Sequence, residues 1–207
     1  MALKIAIFAS GQGSNFQALA DRVQQGRLDV SIELLVCDRP SAPVVGRAER
    51  AGVPVHVFTP KSYPNREAYE QEILARLQEL GVELIVLAGY MRIITPVLVE
   101  PYYGRMVNVH PSLLPSFPGV GGIKQALEYG VKVTGVTVHY VDGGLDSGPI
   151  IAQRAVEVAD DDTEDSLAAR IHLVEQALLP WVVQQIAHGR VQLDGRHVRI
   201  EGVTVHE

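Results

Sequence analysis

The sequence predicts an α/β protein: a mostly parallel twisted sheet with helices on both faces, extended by antiparallel strands and a long helix in its second half. Three observations carry this expectation. Short apolar runs alternate with longer amphipathic ones through the first half of the chain. Those runs are apolar at nearly every position, as strands covered on both faces must be. After residue 104 the alternation gives way to strands interrupted by polar residues and to one long helical segment.

Taken in order, "LKIAIFAS" (3–10) reads as a buried strand and "SNFQALADRVQQG" (14–26) as a helix capped by Ser14 or a near neighbour. "VSIELLVCD" (30–38) is a second strand, and "APVVGRAERAG" (42–52) a second helix stopped by Gly52. "VPVHVF" (53–58) has strand character, "NREAYEQEILARLQELG" (65–81) is a helix, and "ELIVLAG" (83–89) is another apolar strand. Then "MVNVH" (106–110) reads as a strand and "GIKQALEYG" (122–130) as a short helix. "KVTGVTVHYVD" (132–142) and "PIIAQRAVEV" (149–158) form an antiparallel pair. "TEDSLAARIHLVEQALLPWVVQQIAHG" (163–189) is one long helix, started by a Thr163 cap and kinked or broken at Pro180. "RVQLDGRHVRI" (190–200) is a hairpin turning at Asp194-Gly195. No linker, repeat or low-complexity stretch divides the chain, so 1–207 is one domain with a change of lobe near residue 104.

At 207 residues the chain is long enough to bury a full core. The net charge of −6 excludes broad binding to nucleic acid or anionic membranes, which needs a basic face. The single cysteine, Cys37, has no disulfide partner within the chain and reads as a small buried hydrophobe. No charged-then-apolar leader opens the sequence, and no apolar run reaches the ~18 residues of a membrane span. The expected location is the cytoplasm.

Gly11 and Gly13 lie between the first strand and the first helix, in "FASGQGSNFQ". Glycines there let a ligand approach the backbone, and a helix N-terminus offers free N–H groups to an anion. A dinucleotide fingerprint needs a third glycine where Phe16 stands, and a P-loop needs a lysine that is absent. What survives is a site for one phosphate on the N–H groups of Gly13, Ser14 and Asn15, set against an ordinary capped glycine turn. Asp38, at the end of the second strand, keeps a nucleotide alternative open.

In "MVNVH", Asn108 and His110 are two residues apart and therefore share a strand face, with Val107 and Val109 on the other. A proline-studded turn, "PSLLPSFPG", follows at once, and the acidic loop "VDGGLDSGP" comes later. Ligands collect beyond the carboxyl ends of parallel strands. An amide there can polarise a carbonyl, an imidazole can move protons, and Asp146 would favour the imidazolium. No serine or cysteine nucleophile is evident, which suits a substrate that attacks by itself. The alternative is an Asn and a His that merely satisfy the turn, with Asp146 as a turn former.

The stretches "NVHPSLLPSFPG" and "QALEYGVKVTGVTVHYVDGGLDSGPIIAQ", with "SGQGSN" and "LAGYMRII", closely resemble the signature of the folate-dependent formyltransferases. The resemblance covers essentially the whole chain. It implies a Rossmann-like first half (1–104) that binds phosphate and a second half (105–207) that binds folate and carries catalysis. It further implies transfer of formyl from 10-formyltetrahydrofolate, as cosubstrate, to the glycine amine of glycinamide ribonucleotide in purine biosynthesis. No metal is expected, and the chain would act as a monomer or homodimer.

Carried over by residue, the resemblance makes Asn108, His110 and Asp146 catalytic, and Gly13, Ser14, Asn15 and Glu175 contacts of the ribonucleotide. Arg66, Met91, Arg92, Ile93 and Ile94 become folate contacts, the two arginines facing glutamate carboxylates. The 142–146 loop (Asp142, Gly143, Gly144, Leu145, Asp146), together with Asn108, lines the pterin pocket. The sequence departs from the pattern at "VGGIKQ" (120–125), where some members carry a histidine-containing loop.

Without the resemblance, Arg66 would be a solvated residue in a helix's first turn, and Glu164 and Glu175 ordinary helix-surface charges. His139 is expected to pack or to support its neighbours rather than exchange protons. His56, His172, His188, His197 and His206 show no metal-ligand spacing. Related formyltransferases of tRNA and deformylases of formyltetrahydrofolate carry further domains that this chain is not expected to have. A non-catalytic nucleotide- or folate-binding module would not require the Asn–His–Asp set, and Phe16 disfavours a dehydrogenase.

Overall fold

The computed structural model describes residues 2–202, so His206 lies outside the described residues. Strands β1 (Leu3–Phe8), β2 (Val30–Cys37), β3 (Val55–Val57), β4 (Leu84–Leu87) and β5 (Met106–His110) pair in parallel. β6 (Val133–Tyr140) and β7 (Ile150–Glu157) add to β5 in antiparallel fashion, giving one seven-stranded sheet in the order β3-β2-β1-β4-β5-β6-β7. The helices are α1 (Ser14–Gln24), α2 (Pro43–Arg50), α3 (Arg66–Leu80), α4 (Pro96–Val99), α5 (Gly122–Tyr129) and α6 (Glu164–Ala187). The predicted mixed α/β fold is therefore present, antiparallel extension and long helix included.

Strand order sets the place for a ligand. The chain leaves β1 towards β2 and β3, then returns to β4 on the other side of β1. Loops after β1 and β4 therefore diverge and leave a crevice beyond the strand carboxyl ends. Side chains alternate across the sheet as the pleat requires. Ile5, Ile7, Val86, Val107 and Val109 pack with α1 and α6, through Phe16, Leu19, Ile171 and Leu178. Ala6, Phe8, Ile85, Leu87 and Met106 pack with α3 and α4, through Tyr69, Ile73, Leu77 and Leu98. Asn108 and His110 share the parity of Met106, so they stand on one face as expected, where the apolar layer under α3 and α4 ends.

Of the two neighbours that could cap α1, it is Gly13, at φ 77 and with no side-chain cap bond, rather than Ser14, that does so. Two local expectations need correction. Pro180 does not break α6, which runs unbroken from Glu164 to Ala187 with Pro180 buried in it. Proline there forgoes one intrahelical hydrogen bond, and the apolar packing of Leu178, Leu179, Val182 and Val183 around it holds the helix together. The terminal hairpin, β8 (Val191–Asp194) with β9 (His197–Ile200), turns at Gly195 and Arg196 rather than at Asp194-Gly195. Asp194 still pairs with His197, and Gly195 takes the positive φ of 58 that the first loop position demands. The Thr163 cap is present, as a reciprocal box with Ser166.

Candidate active site

The antiparallel addition of β6 to β5 gives Asn108 a cross-strand partner, His139, and places Thr137 opposite His110. His139 is buried, and its Nδ1 donates to the Tyr140 carbonyl at 2.8 Å. Burial lowers its pKa, so the ring is neutral with its proton on Nδ1. Its Nε2 is then a lone pair, which accepts from Asn108 Nδ2 at 3.2 Å. This fixes the amide's orientation. The same nitrogen reaches Asp146 Oδ1 only at 3.5 Å, a long bond that an arriving acceptor can replace.

His110 is held from both sides. Nε2 donates to the Phe117 carbonyl at 2.8 Å, and Nδ1 lies 3.4 Å from Asp146 Oδ2. Phe117 and Asp146 are the two non-glycine residues with positive φ, 54 and 47 among the described residues. Such backbone is costly for an L side chain and persists where its surroundings enforce it. Asp146 is fixed further by Gly119 N–H, which donates to Oδ2 at 2.7 Å. The turn after β5 is tied down by Thr137, which donates to the Ser112 carbonyl and accepts from Leu114 N–H.

Beyond β1, the first bond within α1 runs from Gln17 N–H to the Gly13 carbonyl, so the N–H groups of Ser14, Asn15 and Phe16 precede it. Gly13 is required twice over: its φ is left-handed, and a Cβ there would sit 2.5 Å from Val44 Cγ2. Arg47 of α2 steadies the loop, donating from Nε to the Gln12 carbonyl at 2.7 Å. Facing the loop, Glu175 of α6 is buried and accepts from Asn15 Nδ2 at 3.3 Å. Burial pushes its carboxyl up to about 7, a rise that the Asn15 bond only partly opposes.

Across the crevice, the 89–95 segment has neither helix nor strand, yet its main chain is anchored. Ser10 donates N–H to the Gly89 carbonyl and accepts from Met91 N–H. Arg92 Nε donates to Asp38 Oδ2 at 2.7 Å. Thr95 N–H and Oγ1 both donate to Glu70, a buried carboxylate of α3. Ile94 packs inward, whereas Met91 and Ile93 stay 55% and 61% exposed and Leu145 64%. The 142–146 loop folds on Asp142, whose Oδ1 accepts from Gly144 N–H and Ser147 Oγ. Three apolar side chains are thus presented to solvent on tied backbone.

Most of the site residues expected from sequence fall into three groups beyond the carboxyl ends of the strands. Asn108 and His110, on one face of β5, each reach Asp146. Gly13, Ser14 and Asn15 lie together with Glu175, which is no surface charge. Met91, Arg92, Ile93 and Ile94 share one segment, though Arg92 is turned to Asp38. Asp38 is therefore engaged, which removes the free carboxylate a nucleotide ribose would need at the end of β2. Arg66 stands exposed at the start of α3, just after its Asn65 cap, and among the described residues no hydrogen bond or ion pair ties it to the cluster. Sequence reasoning passed over Glu70, Arg47 and Ser10. For Glu70 a signal existed: it stands in the buried stripe of Ile73 and Leu77, three and seven residues on. Among the described residues no group of three or more His, Cys, Asp or Glu is arranged to hold a metal ion. Nor is any described helix long and apolar enough to cross a membrane.

Known proteins of similar sequence and structure point one way. The family model described as formyl transferase matches residues 3–183. Phosphoribosylglycinamide formyltransferase of Bacillus subtilis is 51% identical over 183 residues, covering 88% of this chain and 94% of that protein. The enzyme of the same name from Escherichia coli is 35% identical, covering 99% of this chain and all of its own length (100%). The crystal structure of glycinamide ribonucleotide transformylase 1 from Symbiobacterium toebii superposes with a TM-score of 0.94 at 43% identity, covering 96% of this chain and 94% of that one. With the family model spanning most of its length and relatives matching it nearly end to end, the chain belongs to the formyl transferase family.

Proposed function

We propose that the chain transfers the formyl group of 10-formyltetrahydrofolate to the glycine amine of glycinamide ribonucleotide, releasing formylglycinamide ribonucleotide and tetrahydrofolate, as a step of purine biosynthesis in the cytoplasm. The observation that carries this is the Asn108–His110–Asp146 cluster, which stands at the same end of the sheet as two unlike walls. One wall is a helix N-terminus with uncapped N–H groups, suited to a phosphate. The other is formed by two tied loops, one with exposed Met91 and Ile93 and one with exposed Leu145, suited to a flat apolar ring system. The names of the relatives agree with the ribonucleotide and with formyl transfer.

In this reading the phosphate lies on Gly13–Asn15, and Glu175 accepts hydrogen bonds from the ribonucleotide. The glycine nitrogen attacks the formyl carbon, a new N–C bond forms, and charge moves onto the formyl oxygen. Asn108 Nδ2 stabilises that oxygen, exchanging its long bond to Asp146 for a shorter one. The attacking nitrogen must lose a proton, and N10 of the departing folate must gain one when its bond to carbon breaks. His110 carries that proton, with Asp146 stabilising the charged ring. For Nε2 to serve, its bond to the Phe117 carbonyl must open. Arg66, exposed at the start of α3, would pair with the carboxylates of the folate's glutamate tail in this reading.

Purified protein should formylate glycinamide ribonucleotide from 10-formyltetrahydrofolate without added metal or ATP, read as tetrahydrofolate release. Asn108→Ala and His110→Ala should each bind both substrates while turnover falls by roughly 10²–10³, the usual loss for one such group. Inert 10-formyltetrahydrofolate beside active formate plus ATP would falsify the assignment.

A further inference from the structure

We propose that Asp38, at the carboxyl end of β2, is a positioning residue for the formyl donor: through Arg92 it fixes the 89–95 segment against which the donor lies. The inference rests on the reading of that segment as the donor site.

The segment has no ladder of its own, so its shape comes from outside. Ser10 grips its start at Gly89 and Met91, and Glu70 grips its end at Thr95. Between these grips, Arg92 turns inward to Asp38 at 2.7 Å while its neighbours Met91 and Ile93 turn outward. The pairing decides which side chains face the crevice. It is also lopsided. Asp38's side chain is 0% exposed, and Arg92's is 38% exposed. Asp38 Oδ1 has no donor among the described residues, so the buried charge depends on Arg92. A buried carboxylate with one cationic partner holds it strongly, because losing that partner strands the charge. Arg92 by itself keeps access to water. Asp38 is thus suited to orient the loop, and the loop is no more than a local stabiliser of Asp38.

The test measures binding of tetrahydrofolate and of glycinamide ribonucleotide by calorimetry, with thermal midpoints, in four variants. Asp38→Ala should weaken tetrahydrofolate about tenfold or more, the size expected for a hydrogen bond to a charged group. Ribonucleotide affinity and the midpoint should stay near wild type. Asp38→Asn keeps an oxygen for Arg92 Nε and should recover most of the loss. Arg92→Ala should lower the midpoint more than Asp38→Ala does, since it leaves the buried charge unpaired. Ile93→Asp tests the donor site itself and should abolish tetrahydrofolate binding. Wild-type folate affinity in Asp38→Ala, beside its loss in Ile93→Asp, overturns the inference and leaves the donor site standing. Wild-type affinity in both overturns the donor-site reading. An equal loss of both ligands in Asp38→Ala shows a general structural role and also overturns the proposal.

Discussion

Glu175 has one hydrogen-bond donor, Asn15, and very little water, so its carboxyl titrates near neutrality, at about 7. The sign of the consequence is fixed. Below its ordinary value of 4.5 the group is neutral in both folded and unfolded chains, and burial costs nothing extra. Between 4.5 and about 7 the unfolded chain ionises while the folded one stays protonated, so stability falls as pH rises through that window. The shift corresponds to roughly 3 kcal/mol at ~1.4 kcal/mol per unit. Glu175→Gln keeps an acceptor for Asn15 and removes the titration. It should stabilise the protein at pH 8 by up to about that amount and leave it nearly unchanged at pH 4, read as urea midpoints across pH. Parallel pH curves for variant and wild type would exclude the buried titration. The residue also shows what the sequence offered. Glu175 stands in register with Ile171, Leu178 and Val182, a buried helical stripe. Read alone it looked like a surface charge, whereas the stripe marks it as buried. Asp38 and Arg92 offered no such sign, because a contact across 54 positions leaves no periodic trace.

The elements were legible because each obeys a short-range rule. Continuous apolar runs gave the parallel strands, and the Asn65, Thr163 and Gly81 termini bound α3 and α6 close to the expected residues. The misses have equally local causes. α4 is a single turn, too short to show a period. Pro180 follows the usual rule for helix breaking, and tertiary packing overrode it. The cap of α1 is decided by a φ angle rather than by a side chain, and that choice bears on function. Without a serine cap, the first N–H groups of α1 stay available to a phosphate. Gly13→Ala should therefore do two separable things. Left-handed backbone costs an L residue about 1–2 kcal/mol, and the new methyl meets Val44 at 2.5 Å, so stability falls. The loop must shift, so KM for the ribonucleotide should rise at least tenfold (about 1.4 kcal/mol) while KM for the folate holds. Steady-state kinetics with each substrate varied would decide it, and equal rises in both constants would argue against a phosphate loop.

At the scale of the molecule, the change of pattern at residue 104 invites a division that the packing does not follow. One apolar cluster joins Ile5, Phe16, Leu19 and Val86 from the first half to Val109, Val138, Ile171 and Leu179 from the second. We infer that 1–207 is one cooperative unit. Heating should give a single transition whose calorimetric and van't Hoff enthalpies agree, and a 1–104 fragment should show no cooperative unfolding. Two resolved transitions would separate the lobes. The shared cluster has a consequence for synthesis as well. α1 lies against α6, and α6 is made long after it, Glu164 following Gln24 by 140 residues. At about 5–20 residues per second, the apolar side of β1 and α1 waits roughly 7 to 28 seconds for the helix that covers it. During that interval the nascent chain displays Phe16 and Leu19 to whatever else is near. The price of building one active site from both ends of the chain is a delay before either end can fold.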